Sequence, residues 1–347
     1  MDFTPTEEQS AARELAARIF GDLSTHERLA AAGTGTDAEL WKALCAAGLV
    51  GAAEDIGVLG LVLLLEEQGR TTAQVPFAAT CVYGLLAVAA HGTDELRARL
   101  LPALRDGTAV ATGAFQAHGG GGGAGVRATA PGQLSGALPF VPWLRDATHV
   151  LVPDAGRALW LVRTADAEVS EVETTAPWAA GRLILSGTPG ERLGGPGAYE
   201  SVLALGRTAF AGLQAGVCAG SLARAVQYTS TREQFGRPLS TNQGVLLRAA
   251  DAYMDTEAIR VTAYEAAWRQ DEGLDAAAEV LTAAWWASEA GKRVVHAGQH
   301  LHGGTGADLD HPVHRHFLWG RQLDAYLGCA AELLAELGQL LAKEEPV

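Results

Sequence analysis

At 347 residues, 48% of them hydrophobic, the chain can bury a substantial core in one large or two to three smaller units, with no need of disulfide or metal staples. A formal net charge of −14 and a pI near 5.1 argue against nucleic acid or an anionic membrane as partner, because phosphate backbones are gripped by clustered Lys and Arg. Any anionic ligand must therefore meet a local arginine cluster.

Four cysteines, Cys45, Cys81, Cys218 and Cys329, lie far apart without CxxC spacing, which speaks against a zinc site or a secreted disulfide framework and for a reducing cytoplasm. The first nine residues, MDFTPTEEQ, are acidic where a secretion signal would be basic. The longest apolar run, IGVLGLVLLL (Ile56 to Leu65), is about half of what a bilayer span requires, so it predicts a buried core helix in a soluble protein.

From Thr4 to about Arg105 the pattern is helical. Thr4-Pro5-Thr6-Glu7 and Thr36-Asp37-Ala38-Glu39 both read as capping boxes, the first with Pro at N1, and apolar residues follow at three- and four-residue spacing. Between about Asp106 and Gly195, Gly and Pro become frequent and short β-type runs appear, THVLVPD, ALWLVRT and RLILSG. After GGPGAYE helical periodicity returns in four long segments, Tyr199 to Ser230, Ser240 to Gln270, Asp275 to His300 and Gln322 to Lys343, whose short connections demand antiparallel packing. The expected architecture is α+β, mostly α: an N-terminal helical bundle (1–105), a small middle β-domain (106–195) and a C-terminal four-helix bundle (196–347).

Three stretches carry candidate chemistry. Gly120, Gly122 and Gly125 spell G-x-G-x-x-G, but VRATAPGQLSG follows where a dinucleotide fingerprint needs a helix, so a loop beside a ligand, or one stripped of side chains, fits better. His300, His302, His311, His314 and His316 suggest a metal, yet His314 and His316 would point to different helix faces and only Asp308 and Asp310 support them, so no metal site is expected. TREQFGRPLSTNQ (Thr231 to Gln243) sets Arg232, Phe235 and Arg237 in a tight loop between long helices, suited to a phosphate with an adjacent flat ring. Ser240-Thr241-Asn242-Gln243 equally reads as a capping box with a purely structural role.

At TREQFGRPLSTNQ and HLHGGTGADLDHPVHRHF the chain resembles the acyl-CoA dehydrogenases. The likeness extends through MDFTPTEEQ, ELWKALCAAGLVG, LVLLLEEQGR and LLPALRDG, in the same order and on the same α, β, α plan. The resemblance implies FAD and an acyl-CoA thioester, with an ionised, shielded carboxylate removing the α-proton while the β-hydrogen leaves as hydride. It also implies that this chain has no such base. The family's Tyr-Glu-Gly-Thr segment falls gaplessly on Tyr326-Leu327-Gly328-Cys329, and the alternative Glu before an Arg falls on Gly206, ahead of Arg207.

Losses extend to the flavin ring site. The family's Thr-Glu-Pro-Gly-Ala-Gly-Ser loop falls on Phe115 to Gly121, so Phe115 replaces the Thr and Gly121 the Ser; Trp-Ile-Thr becomes Phe140-Val141-Pro142, and Pro142 has no N–H or hydroxyl to offer. Shortening around AAEDIGVLG and in the TAPGQLSG hairpin points the same way. What persists are the groups that hold the FAD of a neighbouring subunit: Arg232, Gln234, Phe235, Gly236, Asn242, Gln243, His300 in place of a Gln, Leu301, Gly303 and Gly304. The pattern is similar to the base-less subunit of actinobacterial steroid-type α2β2 enzymes, partnered by a Glu-bearing homologue, with Arg207 as a substrate contact. Alternatives are a homomeric flavoenzyme with Asp324 or Glu200 as base, and a flavin-free binding or scaffold protein.

Overall fold

A computed structural model describes residues 2–115 and 125–344. Its N-terminal helices are α1 (Glu7–Leu23), α2 (His26–Ala32), α3 (Ala38–Ala46), α4 (Leu49–Ala52), α5 (Gly57–Thr71), α6 (Phe77–Ala79), α7 (Ala87–His91) and α8 (Asp94–Arg105), with a π-helical segment, Thr80–Leu86, joining α6 to α7. The first capping box sits two residues later than expected. Thr6 Oγ1 accepts from the Gln9 N–H at 3.2 Å and Gln9 Oε1 from the Thr6 N–H at 3.0 Å, leaving Pro5 ahead of the helix. At α3 the cap is Asp37, whose Oδ1 accepts from Glu39 and Leu40 N–H at 3.1 Å each. Thr36 instead spends its N–H and hydroxyl on Asp146 in the β-region, at 2.8 and 2.6 Å. A residue with a tertiary partner is lost to capping, and sequence alone does not show that partner.

The middle region holds two four-stranded sheets. One has the order β1 (Ala111–Gly113), β4 (His149–Pro153), β5 (Leu159–Arg163), β8 (Glu191–Leu193); the other β2 (Arg127–Ala130), β3 (Gln133–Val141), β7 (Gly181–Pro189), β6 (Glu168–Glu171). Pairing is antiparallel except between β1 and β4. The three runs singled out by their β-type composition are β4, β5 and β7. Along β7, Arg182 and Ser186 face outward, while Leu183 and Leu185 join Leu134 and Leu138 of β3 and Val150 and Val152 of β4 in a core between the sheets. Gly125 precedes β2; Gly120, Gly122 and the Gln116 to Gly121 part of the ring-site loop lie outside the described residues.

The C-terminal region comprises α9 (Ala198–Thr231), a two-residue ladder of β9 (Glu233–Gln234) and β10 (Arg237–Pro238), α10 (Gln243–Asp271), α11 (Ala277–Leu301), α12 (Pro312–Leu323) and α13 (Ala330–Glu344). Two expectations need correction. Helix α10 starts at Gln243, with Asn242 at the cap position making no side-chain cap bond, so Ser240 to Gln243 is not a capping box. The last expected helix, Gln322 to Lys343, starts later: α12 lies almost wholly ahead of it and ends at Leu323, the chain turns through Gly328 at φ +125°, a conformation that favours glycine, and α13 begins at Ala330, so α12 is an α-helix the expected four did not include.

Helices α5 and α9 cross at backbone contact. A Cβ on Gly69 would lie 2.2 Å from the Leu213 carbonyl and one on Gly216 2.1 Å from that of Glu66. The fully buried Glu66 carboxylate beside this crossing is met by Arg260 at 3.1 Å and Arg13 at 3.8 Å, tying α1, α5 and α10 together. Among the described residues α9 is the one helix long and apolar enough to cross a bilayer, and 78% of that window is buried in the fold, as a core helix is.

Candidate functional site

The two positions at which the resemblance places a base converge. A Cβ on Gly206, in α9, would stand 3.5 Å from Leu327 Cδ1 and 3.2 Å from the Tyr83 hydroxyl. Tyr83 arrives from the π-helical segment, whose wider turn is a common device for aiming one side chain. Its ring fits because Gly113 lacks a side chain: a Cβ there would sit 2.5 Å from the ring.

Around Tyr83 the space is filled by aromatic rings. Phe115 stacks on Tyr83 at 5.1 Å and on Tyr199 at 5.6 Å, Phe210 lies 6.1 Å from Tyr83 and 4.8 Å from Tyr326, and Trp178 meets Tyr326 edge-on at 6.2 Å. The Tyr326 hydroxyl donates to that of Tyr83 at 3.2 Å. Burial pushes both phenols above their ordinary range, so both remain neutral. Next to them, a void lined by Phe210, Ala287, Leu323, Tyr326 and Leu327 measures about 20 Å³, room for one water and nothing larger. The Pro142 carbonyl is occupied by the Thr112 hydroxyl at 2.5 Å. A pocket of about 570 Å³ remains beside Phe140, lined by Glu173, Thr174, Thr175 and Gln322.

Outside this plug a cleft of about 730 Å³ opens between α9, α11 and α13. Arg207 lines it but is buried and committed to a bidentate pair with Glu336 on α13, at 2.9 and 2.7 Å, so it is not a free contact for a ligand's anion. Of the alternative bases, Glu200 lies on the cleft wall paired with Arg157 at 3.2 Å, and Asp324 faces Arg321 at 3.3 Å. Burial raises the Asp324 carboxyl above the usual range, but it lines neither the void nor the cleft.

The other candidate residues gather at the far end of α9. Phe235 and Gly236, both at positive φ (+55° and +75°), form the two-residue turn of the β9–β10 hairpin, and the Phe235 ring is 98% exposed. Arg237 reaches the Asn242 side chain at 3.1 Å, and Arg232 ends α9 without an ion pair among the described residues. The Gly303–Gly304 turn is brought alongside by the Tyr228 ring, stacked at 4.7 Å on His302, whose Nδ1 bonds the Gly298 carbonyl at 2.7 Å. Both glycines face open space. His300 is exposed, whereas the Leu301 side chain is buried, leaving only its backbone available. Gln243 opens α10.

The histidines have separate uses. His311 caps α12 by accepting from the Val313 N–H at 3.2 Å, His302 packs beneath Tyr228, and His316 is buried between the Arg70 and Pro312 carbonyls at 3.0 and 3.3 Å. Burial lowers His316 to about 4. Sequence reasoning missed Tyr83, Tyr199 and Phe210, because no local pattern distinguishes an aromatic that plugs a site from one in an ordinary core.

The profile of the acyl-CoA dehydrogenase N-terminal domain matches residues 6–108 and that of its C-terminal domain residues 194–339. Acyl-CoA dehydrogenase FadE27 of Mycobacterium tuberculosis is 35% identical over 99% of both chains. The chain belongs to the acyl-CoA dehydrogenase family. Within it, the solved Tcur3481-Tcur3483 steroid ACAD is 41% identical with a TM-score of 0.91, covering 97% of this chain and 98% of that one. The ChsE4-ChsE5 complex from Mycobacterium tuberculosis is 34% identical with a TM-score of 0.93 over the whole of both chains. This acyl-CoA dehydrogenase homologue therefore resembles subunits of heteromeric steroid ACADs.

Proposed function

We propose that this chain is the half-site subunit of a heteromeric FAD-dependent acyl-CoA dehydrogenase: it abstracts no proton itself and contributes trans contacts to a flavin whose ring lies in a homologous, Glu-bearing partner. The observation that carries the reading is the pairing of Gly206 with Leu327, neither of which can take a proton, inside a slot already filled by Tyr83, Phe115 and Tyr326. FAD, when bound, supplies the hydride acceptor of the family's reaction. The chain's part is to hold: Arg232 meets the diphosphate, Phe235 offers a flat apolar face, Gln234, Asn242, Gln243 and His300 supply polar contacts, and the Leu301, Gly303 and Gly304 backbones allow close approach.

An unpartnered surface supports a partner. Leu246, Leu247, Tyr253, Met254 and Val261 are each more than half exposed on α10, and such an apolar stripe marks a contact with another chain. The likeness to the Tcur3481-Tcur3483 steroid ACAD supports a steroid-derived thioester as the substrate class at the partner's site. A base on this chain at Asp324 or Glu200 is disfavoured because each carboxylate is paired with an arginine, Glu200 with Arg157 at 3.2 Å and Asp324 with Arg321 at 3.3 Å.

The test is expression alone and with a homologue carrying Glu at the position of Leu327. Alone, the chain is expected to hold little flavin and to desaturate no thioester; together, the two should co-purify yellow and active, and Arg232→Ala should strip flavin from the complex. A stoichiometrically flavinated, active homomer would refute the proposal. Flavin content indifferent to Arg232→Ala would favour the flavin-free scaffold.

A further inference from the structure

Most arginines that touch the folded body of this acidic chain have a carboxylate: Arg13, Arg28, Arg105, Arg207, Arg260 and Arg293 each hold one within 4.0 Å. The Arg224 side chain, on α9, has no hydrogen bond or ion pair among the described residues. Its direction follows from its neighbours one turn away on either side. A Cβ on Gly220 would lie 2.5 Å from His316 Nε2, and Tyr228 stacks on His302, so this face of α9 looks toward the segment that carries the Gly303–Gly304 turn. Arg315 there has no carboxylate partner among the described residues and donates to the Gln74 side chain and the Thr72 carbonyl, while His302 and His311, ring to ring at 5.0 Å, are pushed below their ordinary range by burial and leave the arginines as the cations of this face.

We infer that Arg224 is a second guanidinium of the anion grip, binding the diphosphate of the dinucleotide that Arg232 holds at the Gly303–Gly304 turn. Eight helical residues separate the two arginines by about 12 Å along α9, a span that two extended side chains reaching inward can close on one diphosphate. Guanidinium forks match phosphate oxygens bidentately, and a site in a protein of net charge −14 needs local cations to hold a dianion. The inference rests on the trans-FAD reading above.

The test uses the co-expressed complex with the Glu-bearing homologue, stripped of flavin and titrated with FAD by fluorescence at low and high salt. Arg224→Gln is expected to bind FAD about tenfold more weakly at low salt and to show a shallower salt dependence, with Arg224→Lys in between. Unchanged affinity and salt dependence in Arg224→Gln, beside a loss in Arg232→Gln, overturns the inference and leaves the trans-FAD reading standing. No change in either variant overturns both. A loss in Arg224→Gln alone contradicts a shared diphosphate. Should the glutamine variant fail to assemble, the lysine variant decides, since it must bind FAD at least about threefold more weakly than the parent.

Discussion

Replacing Phe115 by Thr, the residue the family carries there, tests the plug directly. The ring is 3% exposed and lies between Tyr83 at 5.1 Å and Tyr199 at 5.6 Å, nearly parallel to both. Truncating a buried Phe to Ala typically costs about 3–5 kcal/mol; Thr keeps two γ atoms but brings a hydroxyl into a slot of ring faces, so a loss of about 3–4 kcal/mol is expected. Of this, about 1–2 kcal/mol belongs to the two stacks, and a double-mutant cycle with Tyr83→Leu should recover about 1 kcal/mol of coupling. Urea unfolding followed by circular dichroism reads both quantities. Flavin content of the isolated chain should not rise, because Tyr83 still fills the slot and Thr112 still occupies the Pro142 carbonyl. A cost below about 1 kcal/mol, or zero coupling, would mean that the ring is not packed as described. Flavin uptake by the single variant would show an open site.

Gly216→Ala should be severe, about 3 kcal/mol or more, since its methyl would enter the Glu66 carbonyl at 2.1 Å and force α5 off α9; a melting temperature within a degree of the parent would disprove that crossing. Glu336→Gln removes one charge of the Arg207 pair, and because Glu336 is half exposed a local loss of about 1–2 kcal/mol is expected, read as faster hydrogen exchange over 330–344. The folded pKa of His316, about 4, lies below the ordinary 6.5, so its neutral form contributes stability that is complete above pH 6.5 and lost as pH falls toward 4, with a slope of about 1.4 kcal/mol per pH unit. Stability curves of the parent and His316→Gln should diverge in that window, and parallel curves would show that the ring is not held neutral.

The helical, β and helical order was legible because apolar spacing reports which faces are buried, and the runs at β4, β5 and β7 are short, apolar and bounded by turn residues, as strands are. Boundaries were less so. Thr6 and Asp37 displaced the expected caps, and the break before α13 was invisible to a periodicity that passes straight through Gly328. At the site, Gly206, Leu327, Arg232 and the Gly303–Gly304 turn could be singled out from local motifs. Arg207 was legible as a conspicuous arginine, but not as the partner of Glu336, 129 residues away.

By itself the sequence determined which residues, Gly206 and Leu327, stand where the resemblance places a base, and that cations and an aromatic ring flank a tight turn. Only the tertiary structure decided that Gly206 and Leu327 meet, that Tyr83, Phe115 and Tyr326 fill the space beside them, and that Tyr228 stacks on His302 next to the glycine turn. The physical reason is range: side-chain chemistry and helical periodicity are properties of a few neighbouring residues, whereas volume exclusion and charge pairing are settled by residues that meet only when the chain has folded.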